Sequence, residues 1–430
     1  MEQVSIEKKE NRFVQDMLGP DDKLLIESMR EFVDTEIIPV RREIEASTRT
    51  DFKLFDEMQQ KLLALGLQGG FLPEEYGGTG MASALTTSLL AEELSRGEPS
   101  LFYSLAGGYL ALRPAVLAEN KAVLEHFAPS FLKEDEVYLG CFAVTEPTGG
   151  SDIENVNMAG QGIDTRAELS GGKWVIDGAK IWPVNSGVAD AYCVVCSTDP
   201  SLGEDGIALI YVETPTQGFK FGKLEDKEGM RGSRTGDFHF KKVRVPEGWR
   251  ASGAGRDAEL LRDNLAFARI FSGGMAIGMA QGAFDEVMAF TTDRIAAGKP
   301  IRQHTICATI LADIAIGIQV GRDAYVNAAY IFDRPETYGP GHSRYMLSRA
   351  SLAKVFCCDA AIHAANRAME LMGSYGYVTD YHVEKYWRDS KLMQLWEGGA
   401  QLGRFDVNRG YYDFDQFHPN ELYEHIQSKK

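Results

Sequence analysis

A single carboxylate near the end of the chain has the surroundings of a general base. Glu397 follows an apolar helical pattern that ends in Leu395 and Trp396, and Gly398 and Gly399 come directly after it. A carboxylate held in a dry site binds a proton more tightly and can remove a proton from carbon. The alternative is a Glu near a helix end that is solvated or caps the helix, and an isolated motif does not separate the two.

The residues before Glu397 predict how it is positioned. From 350 to 394 apolar residues recur at helical spacing, with one break at 373–377, where two glycines fall. Glycines of this kind interrupt a helical pattern. We therefore expect two helices that present Glu397 on a loop between packed elements.

The hydrophobic periodicity changes along the chain and predicts an α+β multidomain protein. Residues 1–136 follow helical spacing and predict an N-terminal α-helical domain. Residues 137–250 contain short β-rich runs separated by turn residues, which predict a small antiparallel β-barrel or sandwich. Hairpin turns are expected at 170–172 and 177–178. The predicted strands are Tyr138–Val144, Lys173–Ile176, Tyr192–Cys196, Ile207–Val212 and Phe238–Val245.

The third domain, at 251–412, is predicted as an antiparallel four-helix bundle, and 413–430 as a polar tail. Its long segments carry stripes of Ala, Ile, Leu and Met at three- and four-residue spacing. Small residues at 273–280 permit close helix approach, in the core or at an oligomer interface. The four predicted helices are Asp263–Arg294, Gln303–Phe332, Ser343–Met372 and Val383–Trp396.

Charge and composition exclude several classes of function. The net charge of −17 argues against nucleic-acid binding, which needs an excess of Lys and Arg. The sequence shows neither a long uncharged apolar run nor a secretory start, so we expect no membrane insertion and a cytoplasmic location. The six cysteines show no disulfide framework. Because Cys193 and Cys196 would point to opposite faces of a strand, no metal site is expected.

A basic stretch runs from Lys220 to Arg250 in this acidic chain. Acidic residues are interleaved with its Lys and Arg residues. The stretch is therefore either a local site for an anionic ligand or a solvated strand face.

Three motifs together identify a family. Residues 144–152 read Val-Thr-Glu-Pro-Thr-Gly-Gly-Ser-Asp, 180–186 read Lys-Ile-Trp-Pro-Val-Asn-Ser, and 229–236 read Gly-Met-Arg-Gly-Ser-Arg-Thr-Gly. They resemble the Thr-Glu-Pro-x-x-Gly-Ser-Asp, Lys-x-Trp-Ile-Thr-Asn and Gly-x-Arg-x-Ser-x-Thr motifs of the acyl-CoA dehydrogenase family, and the resemblance covers nearly the whole chain. Glu397 aligns with the catalytic Glu of the short- and medium-chain branches, and Trp396 replaces the usual Tyr.

The resemblance implies FAD as the cofactor, bound between subunits that commonly form a homotetramer. Val184 stands where the family has a Thr whose hydroxyl reaches the flavin ring, so it offers only its backbone amide. Thr305, Glu370 and Gly399 replace the family's Gln, Gln and Thr around the FAD nucleotide. The implied cofactor contacts are Phe142, Val144, Thr145, Trp182, Val184, Arg294, Gly373 and Gln401.

The resemblance also implies the reaction. Glu397 would remove the α-proton of an acyl-CoA thioester while the β-hydrogen leaves as hydride to the flavin, which gives an enoyl-CoA. Electron-transferring flavoprotein would then reoxidise the flavin. Ser151 is implied to contact CoA, and Arg269 to line the active site.

Substrate choice depends on the acyl pocket, where Tyr103 and Trp396 are expected to form flat walls. Such walls favour a branched, cyclic or aryl-bearing acyl group, although aromatic residues also pack ordinary cores. Leu101 stands where glutaryl-type members carry an Arg, which argues against a dicarboxylate unless Arg113 reaches the pocket.

Two alternatives stay open. Members with this fold also carry out desulfination, hydroxylation or nitroalkane oxidation, and Val184 is compatible with such a change. The second alternative is a flavin-free, helix-rich assembly subunit.

Overall fold

The computed structural model describes residues 12–81 and 83–412, so the predicted polar tail lies outside the described part. Helices come first. α5 begins at Ala84 because the Ser83 hydroxyl caps it, accepting from the backbone N–H of Thr86. The helices of this region are α1 (Arg12–Met17), α2 (Pro20–Phe32), α3 (Arg41–Ser47), α4 (Lys53–Leu63), α5 (Ala84–Gly97), α6 (Pro99–Leu117) and α7 (Lys121–Phe131).

The buried helix α6 carries one wall of the site described below. The Glu98 carboxylate caps its first turn by accepting from the backbone N–H of Ser100 at 3.1 Å, and Pro99 takes the first helical position, where no intrahelical N–H is needed. Gly107 lets the helix approach the sheet, because a Cβ there would lie 2.5 Å from the carbonyl oxygen of Gly140. The sequence of α6 therefore fixes how closely helix and sheet pack.

The middle of the chain forms one curled seven-stranded sheet, in the order β1-β4-β2-β3-β7-β6, with β5 paired to β4. The predicted fold class, helices followed by a β domain and a helix bundle, is confirmed. Two pairings differ from the expected antiparallel pattern, because β4 runs parallel to β1 and to β2. The strands are β1 (Gly140–Ala143), β2 (Arg166–Ser170), β3 (Lys173–Val184), β4 (Ala191–Ser197), β5 (Ile207–Glu213), β6 (Phe219–Leu224) and β7 (Thr235–Pro246).

The turn predictions in the sheet had different outcomes. The hairpin at 170–172 is confirmed, since Ser170 pairs with Lys173 across it. The expected turn at 177–178 is wrong: β3 continues to Val184, and Gly178, at φ 149°, lies at a shift of register with β7. A β-bulge favours glycine for the same conformational reason as a turn, so the residues at 177–178 alone could not distinguish a bulge from a turn.

The four predicted helices of the last domain are confirmed, with ends that differ by up to seven residues, and a further helix follows them. Cys193 and Cys196 belong to different packed clusters on the two faces of β4, as expected. The elements are α8 (Arg256–Asp293), the hairpin β8 (Ile295–Ala296) and β9 (Lys299–Pro300), α9 (Thr305–Phe332), α10 (Pro335–Tyr338), α11 (Arg344–Met372), α12 (Val383–Leu395) and α13 (Gly399–Tyr411).

The small residues at 273–280 lie in the core, where α8 crosses α5. A Cβ on Gly274 would lie 2.3 Å from the carbonyl oxygen of Ser88, and one on Gly278 would lie 2.2 Å from that of Glu92. These glycines bring two backbones into direct contact. The helical and β regions meet between Phe131 and Gly140 and between Pro246 and Arg256, and the domain boundaries within those intervals stay predictions.

The helix α9 packs one side against α8 and α11 and leaves an apolar stripe exposed. Ala308, Ala312, Ile316 and Val320 recur every four residues on this stripe, and Ile316 is 60% exposed. By length and composition alone this helix is apolar enough to cross a membrane, a test that helices of soluble proteins also pass. The expected absence of membrane insertion stays a prediction.

A buried histidine immediately precedes α12. His382 is 2% exposed at φ 54°, and its Nε2 has no hydrogen-bond partner. Burial lowers the pKa of His382 well below its usual 6.5, and the nearby charges of Arg41 and Lys385 lower it further. The folded protein therefore holds this imidazole neutral.

We expect His382→Asn to reduce the loss of stability in acid. The unfolded chain protonates His382 below about pH 6.5 and the folded chain does not, so stability falls as the pH drops through that value and is unaffected above it. At about pH 5.5 the effect is about 1.4 kcal/mol. Thermal midpoints at about pH 7.5 and 5.5 test this, with the exposed His363→Asn as control. An equal acid loss in His382→Asn and the parent protein would contradict it.

Candidate active site

A cavity of about 800 Å³ lies where the three regions of the chain meet. α6 contributes Tyr103, the segment after β1 contributes 144–151, and the end of β3 contributes Trp182 and Val184. The turn between α12 and α13 contributes Trp396 and Glu397. A volume of this size accommodates a cofactor and the reacting part of a substrate together.

Glu397 lies in a left-handed turn between α12 and α13. Its φ is 49°, and those of Gly398 and Gly399 are 81° and 68°, so three successive residues leave the helical region. α12 ends at Leu395 because such residues cannot continue a helix. The predicted placement of Glu397 on a loop between packed helices is confirmed.

Two buried cations hold this turn through its carbonyl oxygens. The Lys354 ammonium on α11 donates to the carbonyl of Trp396 and, at 3.3 Å, to that of Glu397. Nε of Arg269 on α8 donates to the Glu397 carbonyl, also at 3.3 Å. Hydrogen bonds from charged donors are stronger than neutral ones. They stabilise a backbone conformation that a non-glycine residue rarely adopts.

The side chain of Glu397 is half-buried and faces a charged environment. Burial raises the pKa of Glu397 to about 7, and the neighbouring carboxylate of Glu154 raises it as well. Lys354 and Arg269 act in the opposite direction. A carboxyl group with a pKa near neutrality has the proton affinity that a general base needs.

Arg269 does not line the cavity, which corrects the expectation that it lines the active site and contacts the substrate. The guanidinium is fully buried below the turn, where Nη1 donates to Asp406 at 2.6 Å and Nη2 to Glu154 at 3.3 Å. Ser351 accepts a further hydrogen bond from Nη1 at 3.0 Å. With its donors used by the protein, Arg269 positions the turn instead of binding a ligand.

One wall of the cavity is aromatic. The ring centres of Tyr103 and Trp396 are 4.0 Å apart and the ring planes meet at 64°, an edge-to-face contact. Burial raises the pKa of Tyr103 well above 10, and the charge of Glu397 raises it further, so the hydroxyl stays protonated. Leu110 and Leu265 also line the cavity.

The loop that follows β1 is fixed by a buried ion pair between two of the sequence motifs. The Lys180 ammonium donates to Glu146 at 2.7 Å and to the carbonyl of Val144 at 2.8 Å. Glu146 also accepts from the backbone N–H groups of Asp164 and Thr165, at 2.7 and 2.9 Å. The Glu and the Lys of these motifs are therefore structural, and they leave Thr145 and Ser151 facing the cavity.

The second motif places an indole at the edge of the cavity. Trp182 has φ 65° beside a register shift between β3 and β7, and it is 60% exposed although it lines the cavity. The Asn185 side chain fixes the end of this segment by donating to the carbonyls of Ser104 and Gly140, at 2.8 and 2.9 Å. An exposed aromatic ring on a segment that is fixed in this way can stack on a flat ligand.

The residues present fit a flavin. Trp182 offers a flat face, and the buried hydroxyl of Thr235, which lines the same cavity, has no hydrogen-bond partner. An unsatisfied buried hydroxyl indicates a missing polar partner. Bound FAD supplies the acceptor for a hydride, and this chain's residues would hold it. The predicted cofactor residues that line the cavity are Phe142, Val144, Thr145, Trp182 and Val184.

The other predicted cofactor residues lie outside this cavity. Arg294 is exposed at the end of α8, with its guanidinium 5.3 Å from the ring centre of Tyr375. Gly373 opens the short helical turn that contains Tyr375, and Gln401 is exposed on α13. The resemblance places such residues across a subunit interface, and their roles stay predictions.

Sequence reasoning missed Glu154, Lys354 and Asp406. Lys354 and Asp406 lie inside helical patterns where neither motif nor spacing marks them. Glu154 stands three residues after Ser151, and an acidic residue so close to a predicted ligand loop was the available signal. The residues of the basic stretch between Lys220 and Arg250 have different surroundings. Lys227 lines the cavity, whereas Arg231, Arg234 and Arg250 pair with acidic side chains.

Comparisons with known proteins agree with this geometry. The family descriptions for the acyl-CoA dehydrogenase N-terminal, middle and C-terminal domains match residues 19–134, 141–243 and 258–411. The chain is 32% identical to cyclohexane-1-carbonyl-CoA dehydrogenase of Syntrophus aciditrophicus, over 91% of this chain and 97% of that protein. It is 30% identical to the human mitochondrial short-chain specific acyl-CoA dehydrogenase, over 90% and 88%.

Solved structures give the same result. Butyryl-CoA dehydrogenase from Megasphaera elsdenii has a TM-score of 0.82 at 27% identity and covers 92% of this chain and 98% of its own. A structure described as the electron transferring flavoprotein of Acidaminococcus fermentans has a TM-score of 0.82 at 29% identity, over 92% and 99%. Nitroalkane oxidase has a TM-score of 0.83 at 25% identity, over 93% and 97%.

The chain belongs to the acyl-CoA dehydrogenase family. The predicted enzyme class, dehydrogenation of an acyl-CoA, is confirmed. Members of the family are FAD flavoproteins, so the predicted cofactor is confirmed too.

We expect Gly398→Ala to destabilise the protein more than Gly399→Ala. Both residues have positive φ and share the backbone cost, but a Cβ on Gly398 would lie 2.8 Å from Arg269 Nη2 and 2.9 Å from Glu154 Oε2. A Cβ on Gly399 meets only the carbonyl oxygen of Gln394, at 3.7 Å. The difference should be about 1–3 kcal/mol, the usual cost of overpacking. Denaturant unfolding measures it, and equal losses would contradict the proposed contact.

Proposed function

We propose that Glu397 is the base that removes the α-proton of the acyl-CoA. Its position in the cavity, with a carboxyl whose pKa is raised to about 7 by burial, supports this role. The carboxylate would take the proton from Cα, and bound FAD would supply the acceptor for the β-hydrogen as hydride. The turn held by Lys354 and Arg269 fixes the direction from which the carboxylate approaches.

We propose that the acyl group is cyclic or otherwise bulky. The Tyr103–Trp396 wall supports this, and so does the similarity to a protein named for cyclohexane-1-carbonyl-CoA. Flat aromatic walls pack well against a ring. Arg113 pairs with Asp263 at 2.6 Å on another side of α6, so it offers no partner for a second carboxylate of the substrate.

A second cavity, of about 220 Å³, supports binding of the anionic part of CoA. It is lined by three guanidinium groups and two carboxylates. Guanidinium groups bind phosphate through paired hydrogen bonds. The ionisable side chains that line it are Glu204, Arg262, His342, Arg344, Asp406 and Arg409. We propose that Ser151, which lines the larger cavity, contacts CoA.

A different reaction on this fold is the main alternative. Nitroalkane oxidase shares the architecture, and Val184 gives the flavin no side-chain hydroxyl. The similarity to proteins named acyl-CoA dehydrogenases favours dehydrogenation. A flavin-free assembly subunit is disfavoured, because the family consists of flavoproteins.

We propose electron-transferring flavoprotein as the electron acceptor. The structural similarity to a protein described by that name links this fold to such a partner. All six cysteines are free thiols, which suits a reducing compartment and supports a cytoplasmic location.

We expect Glu397→Gln to keep FAD and to lose at least about 1,000-fold in turnover, because an amide cannot accept the α-proton. Anaerobic mixing with cyclohexane-1-carbonyl-CoA should bleach the flavin of the parent protein and form the enoyl-CoA. The variant should keep the flavin spectrum and bind the thioester without bleaching. Butyryl-CoA serves as the small-substrate comparison.

The conservative Glu397→Asp variant is the matched control, since it keeps the charge and should retain a small part of the turnover. Near-normal bleaching of Glu397→Gln would show that another base operates. Bleaching by nitroalkanes but by none of the thioesters would favour the alternative reaction.

We propose that the chain forms a homotetramer through the exposed stripe of α9. The stripe defined above is apolar over four helical repeats, and patches of this kind mark association surfaces. Ile316→Lys should place a charge in the contact and reduce the mass measured by light scattering. Leu24→Lys, at another residue that is 65% exposed, is the control. A monomeric parent protein would contradict the proposal.

A further inference from the structure

A second carboxylate lies in the same cavity as the proposed base. Glu154 follows the loop after β1, lines the cavity with Glu397 and is 8% exposed. Its Oε2 accepts a hydrogen bond from Arg269 Nη2 at 3.3 Å, a long contact. Burying a carboxylate costs free energy even when it is paired with a cation, which indicates that the charge serves another purpose.

Glu154 packs directly against the turn that carries Glu397. A Cβ on Gly398, the next residue after the base, would lie 2.9 Å from Glu154 Oε2. Glu154 therefore lies against the backbone of the residue that follows Glu397, and both carboxylates line one enclosed volume. Like charges in such a volume raise each other's affinity for a proton.

The other charged groups around the turn bind its backbone and one another, and Arg269 also bonds to Glu154. Arg269 on α8 and Lys354 on α11 donate to the main-chain carbonyls of the turn. Asp406 on α13 pairs with Arg269 and with Arg409, at 2.6 and 3.0 Å. Tyr103 on α6 stays neutral. Among these groups Glu154 is the one that adds negative charge on the cavity side.

We propose that Glu154 is a positioning residue whose negative charge makes Glu397 a stronger base. The inference rests on the proposed role of Glu397. In the proposed reaction the Cα–H bond breaks and its electron pair becomes the new Cα=Cβ bond, while an O–H bond to Glu397 forms. The β-hydrogen leaves with the electron pair of the Cβ–H bond, for which bound FAD would supply the acceptor. The arriving proton neutralises Glu397 and removes its repulsion with Glu154, so the charge of Glu154 favours the transfer.

The electrostatics agree with this geometry. Burial raises the pKa of Glu397, and the next contribution in size is the charge of Glu154. Burial also raises the pKa of Glu154, against the opposing charges of Arg269 and Lys354. The two groups therefore titrate as a pair, and a change in one must move the titration of the other.

The test is the pH dependence of kcat/KM for Glu154→Gln in the flavin-loaded enzyme, with cyclohexane-1-carbonyl-CoA or the most active thioester as substrate. The fall in kcat/KM on the acid side of this profile, called the acid limb below, reports the pKa of the essential base in the free enzyme. Gln keeps an oxygen acceptor for Arg269 but removes the charge, so the limb should move to lower pH by about 1 unit. The plateau should fall as well, because the base is weaker.

Two variants control for structure and for general charge. Glu154→Asp keeps the charge and should leave the limb near its original position. Asp359→Asn removes a carboxylate from α11 that pairs with Arg404 at 2.6 Å and does not line the cavity, so the limb should not move. If Glu154→Gln folds without flavin, the infrared carboxyl band of Glu397, assigned by its loss in Glu397→Gln, is titrated instead.

The outcomes are distinct. A limb or infrared band that does not move in Glu154→Gln, or that moves equally in Glu154→Asp, overturns the proposal and leaves Glu154 a merely structural residue. Retained turnover in Glu397→Gln is a separate failure, because it removes the base that Glu154 is proposed to act on.

Discussion

The active site depends on how two buried cations are neutralised. Lys354 and Arg269 lie fully below the turn of Glu397 and have no access to water. A buried charge is tolerated only when it is paired and hydrogen-bonded. The carbonyl groups of the turn, together with the carboxylates of Glu154 and Asp406, meet that requirement. The two cations therefore stabilise the left-handed conformation of the catalytic turn, because the carbonyl groups of the turn are their acceptors.

The same principle fixes the opposite side of the cavity. Lys180 and Glu146 form a fully buried pair that joins the loop after β1 to the strand β3. Asn185 then joins β3 to α6 and to β1 through two carbonyl groups. Polar contacts of this kind need exact partners, whereas apolar packing tolerates small shifts. The ligand-facing surfaces are thus positioned by directional bonds, and the apolar core provides their support.

Much of the architecture was predictable because it follows local periodicity. The helices α8, α9, α11 and α12 are long and strongly patterned, and the sequence located each of them. The strands β2 and β6 were missed because they are short and largely exposed, so their alternation of apolar and polar residues extends over only a few positions. α13 was missed because it begins in the glycines that end the preceding turn. Parallel pairing of β1 with β4 depends on contacts between distant residues, which a local pattern does not contain.

The site shows the same limit. Glu397 and the motif residues were found because a family resemblance names them. Arg269 was also assigned by the resemblance, and no local pattern could show its partners, because Glu154 and Asp406 are 115 and 137 residues away in the chain. Burial and pairing decide what a charged side chain does, and both are properties of the folded chain.

The cavity is enclosed by segments that span nearly three hundred residues of sequence, from Tyr103 on α6 to Gly399 at the start of α13. A ligand that binds there contacts all three regions at once and has no comparable site on the unfolded chain. Its binding free energy is then added to that of folding. The heat resistance of this enzyme consequently varies with the supply of its cofactor, and the fraction of protein that survives a mild heat step measures how much of the preparation is loaded.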